Sequence, residues 1–137
     1  MAAERPVLTA EQILAEGGRH PRYARVLAVA SDGDFGLALV DGNGDGAELE
    51  DEIWIFGDGT WSGGPTSGAG PLSRVQGLHS WWPAKDVCFA YGSALGRQSV
   101  IISLAGQRHH VPVGRDGIWA FVKVLTGTHD CDGPKLG

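Results

Sequence analysis

The sequence predicts an all-β, mainly antiparallel fold: a sandwich or open barrel of about seven to nine short strands, with one short N-terminal helix. Three observations lead there. Beyond residue 18 no stretch keeps a helical period, while short apolar runs follow one another. These runs are separated by turns rich in Gly, which supplies 22 of the 137 residues, and glycine is the residue that tight turns admit most easily. At 118–124, IWAFVKV carries Trp119 and Phe121 on one face and Ala120 and Val122 on the other. A strand apolar on both faces belongs at the centre of a sandwich or under a cover.

The length suits one domain spanning residues 1–137. Its helix is expected over about 9–17, where Thr9 can cap, Gln12 stands at the capping-box position, and Gly17-Gly18 makes the stop. Strands are expected at YARVLAVA (23–30), FGLALV (35–40) and EIWIF (52–56). The turn GDG (57–59) follows, and TW (60–61) begins a return. Residues 62–71, SGGPTSGAGP, read as a loop too rich in Gly and Pro to pair in a sheet. LHSWWPAKD (78–86) reads as an irregular connection. VCFAYG, SVIISL, RHHVPV and IWAFVKV follow, the last three as a meander over about 98–124, with a flexible tail over about 126–137. The expected core is Val26, Leu27, Leu37, Leu39, Ile53, Ile55, Val87 and Phe89, continued by Val100, Ile102, Val111, Val113, Trp119, Phe121 and Val122.

Charge is unevenly spread. The net charge is −5, yet between Val26 and Ser73 there is no Lys or Arg, and nine of the sixteen acidic residues fall in that window. An anionic surface repels phosphate backbones and attracts cations or basic partners. Nucleic acid is therefore not expected as a partner, and a protein with a basic surface is. No apolar run is long enough for a membrane helix or a signal peptide, so no membrane association and a cytoplasmic location are expected. The preference for Arg, Gly and Ala suggests a G+C-rich bacterial genome. Cys88 and Cys131 are then expected as free thiols, with Cys88 in the core.

The sharpest chemical pattern is DGNGDGAELEDE (41–52). It resembles an EF-hand calcium loop: Asp41, Asn43 and Asp45 fill the first three ligand positions, Gly46 the turn, Ala47 the carbonyl position and Glu52 the bidentate twelfth position. The pattern implies Ca2+ as a cofactor of a calcium-stabilised β domain. The flanks look like strands, however, and Glu48 and Leu49 occupy positions where such loops carry an aliphatic residue and an oxygen ligand. A solvated turn built from Asp, Asn and Gly explains the same letters without a metal.

No nucleophile elbow, Walker loop or dinucleotide fingerprint is present. His109 and His110 are adjacent in a strand and point apart, so they do not easily share a metal; His79, His129 and Cys131 lack zinc spacing. Trp81-Trp82 is the notable aromatic pair, one of the two a candidate partner anchor. The expected function is a non-enzymatic protein-interaction module. Glu48, Glu50, Asp51 and Glu52, with Trp81 or Trp82, would contact a basic partner, as in immunity or antitoxin proteins that occlude a basic toxin site. The alternatives are the calcium-stabilised domain and a small enzyme, whose first clue would be a pocket collecting His109 or His110 with acidic residues.

Overall fold

Thr9 opens the helix. Its hydroxyl oxygen accepts the Gln12 backbone N–H at 3.2 Å, and α1 runs Ala10–Glu16. The computed structural model describes residues 6–16, 23–84, 86–125 and 133–137, so the expected Gly17-Gly18 stop, His129 and Cys131 lie outside the described residues. Ten strands follow: β1 Arg25–Asp32, β2 Phe35–Asp41, β3 Leu49–Gly57, β4 Thr60–Gly70, β5 Gly77–Ala84, β6 Val87–Ser93, β7 Ser99–Leu104, β8 Gln107–Pro112, β9 Ile118–Val124 and β10 Lys135–Leu136. They pair antiparallel in three sheets, ordered β1-β2-β3-β4, β5-β6-β9 and β10-β7-β8.

The order of the layers follows from which strands are apolar on both faces. β6 and β9 are buried along almost their whole length and form the middle sheet. One side of it, with Phe89, Ile118 and Val122, packs on Leu27, Leu37, Leu39 and Leu49 of the first sheet. The other side, with Cys88, Ala90, Trp119 and Phe121, packs on Val100, Ile102, Leu104 and Val111 of the third. The outer face of the first sheet is covered in turn. Leu8 and Ile13 from the helical segment meet Ala38, Val40, Trp54 and Trp61 there, and the Trp61 indole N–H donates to the Pro6 carbonyl at 2.7 Å. The two-sided apolar pattern of IWAFVKV thus leads to the right place in the sandwich.

Several expectations are corrected. Residues 62–71 are mostly strand, not loop: β4 pairs with β3 from Thr60 to Gly70. It is an edge strand, so it needs partners on one side only, and Pro is tolerated at edges and bulges. The register skips between Glu52↔Thr66 and Trp54↔Gly63, placing Gly64 and Pro65 in a bulge opposite Ile53. LHSWWPAKD is likewise not a mere connection, since β5 pairs with β6 from Gly77 to Trp81 before a register break at Trp81–Ala84. The meander is broken: β7 and β8 form a hairpin, but β9 leaves them to pair with β6, because only the middle sheet covers both of its faces. In the expected tail, Lys135 and Leu136 pair with Ser103 and Ile102, and residues 126–132 lie outside the described ones. Ile55 is 44% exposed rather than core, and Val26, Ile53 and Val113 are half-buried. Trp54 is fully buried in its place, since the helical segment turns the other face of β3 into an interior. Among the described residues no helix is long and apolar enough to cross a membrane.

Candidate functional site

The first and middle sheets meet on one side and part on the other. On the meeting side β1 runs beside β9, and the Val124 N–H donates to the Asp32 carboxylate at 2.8 Å. On the parting side both sheets end, at β4 and β5, with no ladder between them. A 3-10 turn at Leu72–Arg74 links the two strands. A cleft of about 350 Å³ opens there, floored by Asp51 and Ile53 of β3 and walled by Pro65, Thr66 and Ser67 of β4 and by His79, Ser80, Trp81 and Tyr91 of β5 and β6.

Asp51 is the unusual member. In β3 the residues Leu49, Asp51 and Ile53 share one face by the strand's period of two, and Leu49 and Ile53 belong to the core between the sheets. Asp51 therefore points inward and is only 7% exposed. A buried carboxylate needs hydrogen-bond donors. Ser67 Oγ donates at 2.6 Å, and the Tyr91 hydroxyl donates to the same carboxylate. Burial first, then the charge of Asp51 and this hydrogen bond, raise the Tyr91 phenol above its ordinary value. Aromatic rings complete the wall. His79 stacks on Tyr91 at 5.2 Å between centroids, while Trp81 stands edge-on to Tyr91 at 6.0 Å and to Phe89 at 5.5 Å. Among the described residues no Lys or Arg lines the cleft. A second depression shares Thr66 and Ser67 with it and is lined by Glu48, Leu49 and Glu50.

The residues singled out in the sequence are only partly brought together. Asp51 and Trp81 meet in the cleft, and Glu48 and Glu50 flank it. Glu50 and Glu52, on either side of Asp51, point to the opposite face of β3, beside Val40 and Ala38 of β2, and Glu52 is 4% exposed, so the four acids do not form one surface. Trp81 packs on the core between the first two sheets and Trp82 on the core between the last two. The two do point apart, but each is half-buried rather than one free.

The five calcium-loop positions are spread as well. Asp41 is buried, and its two oxygens accept the backbone N–H groups of Gly44 at 3.0 Å and Gly46 at 2.6 Å. Asp45 accepts the Ala47 N–H at 3.0 Å, and Asn43 is exposed. Asp41 pairs with Leu49, whereas Glu52 pairs with Ala38. Glu52 is thus three residues further along the strand, roughly 10 Å away. Among the described residues no group of three or more His, Cys, Asp or Glu side chains could hold a metal ion.

His109 packs against Phe121 at 5.4 Å, and His110 is exposed on the other face. Neither lies in the Asp51 cleft; the histidine there is His79. Cys88 is fully buried and its thiol is pushed up to about 11 by burial. Ser67, His79 and Tyr91 were not legible as partners of Asp51, because they come from three separate strands. The available signal was Asp51 itself, an acid in the apolar phase of a strand. Comparison of the chain with protein-family models, with curated proteins and with solved structures returned no match.

Proposed function

We propose that the protein is a non-enzymatic interaction module that docks a basic protein partner along its β3–β4 edge. The observation that carries this reading is the cleft at the parting of the two sheets. It presents a nearly buried carboxylate and aromatic walls, has no cation among its described lining residues, and adjoins a depression lined by Glu48 and Glu50. A partner that supplies positive charge there gains electrostatic steering and an aromatic anchor together. The concrete form is an immunity- or antitoxin-like protein that occludes the basic active site of a toxin.

The test compares the wild-type chain with a Glu48→Lys/Glu50→Lys variant as baits for partner capture, followed by binding kinetics on the captured protein. Association should slow about tenfold or more as salt rises from about 0.05 to about 0.5 M, because exposed charges are screened. The variant should associate slowly at every salt concentration. A partner that binds both chains alike, with no salt dependence, sinks the reading.

A further inference from the structure

We infer that the Asp51 cleft is a socket for one arginine side chain of the partner. This deepens the interaction reading above and rests on it.

The chemistry is set by three features of the cleft. First, the carboxylate has acceptor capacity left. A carboxylate offers about four lone-pair sites, and Ser67 and Tyr91 occupy two of them. The remaining capacity faces a cavity, and among the described residues that line it there is no Lys or Arg. Second, the walls suit a planar cation on an aliphatic stem. Trp81, Tyr91 and His79 present ring surfaces beside the carboxylate, and guanidinium groups stack on such surfaces while their N–H forks engage carboxylates. Third, the space is sufficient and one-sided. About 350 Å³ is ample for one long side chain, and the neighbouring depression, lined in part by Glu48, adds negative charge close by.

Lysine would satisfy the charge but neither the fork nor the stacking, so arginine is the better fit. The prolines of the two edge strands also favour side-chain insertion over strand addition. Pro65 in β4 and Pro83 in β5 each lack the N–H donor that an added strand would need.

The probes are three capped pentapeptides, Gly-Gly-Xaa-Gly-Gly, with arginine, lysine or the neutral isostere citrulline at the centre. Binding is followed by NMR on the Trp indole N–H signals, with Trp81 identified by its loss in Trp81→Phe. The arginine peptide should shift the Trp81 signal saturably, with lysine several-fold weaker and citrulline at least tenfold weaker. Asp51→Asn should lower arginine affinity at least tenfold. Because Asp51 is buried and its replacement can disturb folding, the second variant is His79→Lys, at an exposed residue that shares the cleft face of β5 with Trp81. Its ammonium fills the socket from within the chain and should abolish binding while the melting temperature holds.

Equal binding of arginine and citrulline overturns the inference, as does full arginine binding by a folded His79→Lys chain. An oligo-arginine peptide separates this failure from that of the broader reading. If it binds wild type and is weakened by Glu48→Lys/Glu50→Lys but not by Asp51→Asn or His79→Lys, the acidic edge stands and the socket falls. If no basic peptide binds wild type, both fall.

Discussion

At the residue scale, the turn between β7 and β8 holds an unfavourable backbone. Ala105 and Gly106 connect Leu104 to Gln107 with φ of 52° and 76°, the paired positive values of a two-residue hairpin turn. Glycine accepts this conformation freely and asparagine tolerates it; alanine pays a steric penalty of about 1 kcal/mol. The equivalent turn from β3 to β4 uses Asp58 and Gly59, at 52° and 82°, with an aspartate at the position alanine fills here. Ala105→Asn should therefore raise stability by about 0.5–1 kcal/mol, measured as a higher urea midpoint with an unchanged slope. A lower midpoint would mean that the methyl group makes contacts outweighing the strain. A turn residue's φ is fixed by strand pairing and cannot be read from the residue itself. Asp51 teaches the same lesson on the functional side. From the sequence Asp51 is expected on an acidic surface just before the strand, and its partners Ser67 and Tyr91 are not visible, since nothing in the chain shows which distant strand supplies a donor.

At the element scale, the acidic loop between β2 and β3 is held by its own backbone. Asp41 closes it by accepting two N–H groups, and Gly44 and Gly46 both take φ of 73°. A Cβ on Gly44 would stand 2.4 Å from the Tyr23 carbonyl oxygen, so the loop lies directly against the chain entering β1. Asp41→Ala leaves two N–H groups without their acceptor and should cost about 1–3 kcal/mol. The loss should be the same in EGTA and in calcium, while Asp45→Asn should change little. A melting temperature that calcium raises in wild type and not in Asp45→Asn would instead make the loop a metal site. The letters of a calcium loop and of a capped turn coincide because both use Asp and Gly for the same backbone geometry. What separates them is the register of β3, which carries Glu52 away from Asp41. Strands β1, β2 and β9 were legible to within two residues because their apolar runs are long and uninterrupted. β4 was not, since composition signals a loop whereas an edge position requires only one set of hydrogen bonds.

At the scale of the whole molecule, one half-buried and two buried groups define a pH window. Burial lowers the His109 pKa from its ordinary 6.5, helped by the charge of Lys123 and opposed by that of Asp32. The unfolded chain then binds this proton more readily, so its stabilising contribution is present above about pH 6.5 and is lost as pH falls through the depressed native value. Cys88 moves the other way, from 9.0 to about 11 through burial, and Tyr91 is raised from 10.0 in the same direction. Their contribution is full below about pH 9 and fades as pH climbs toward about 11. The urea midpoint should therefore be flat between about pH 6.5 and pH 9 and fall on both sides. Cys88→Ala should flatten the first part of the alkaline limb, and His109→Gln should soften the acid limb. A wild-type midpoint unchanged between about pH 9 and pH 11 would show that the thiol and phenol remain solvated.

The bulge at Gly64 and Pro65 has a consequence of a different kind. A sandwich whose sheets part on one side leaves two neighbouring rows of backbone donors and acceptors exposed to other chains, and straight, apolar edges of that sort nucleate aggregation. β4 has four glycines, a proline and a kinked register along that row. It therefore offers a poor template for a foreign strand, and the cleft can stay accessible without making the molecule sticky. The composition that reads as a failed strand protects the one open flank of the protein.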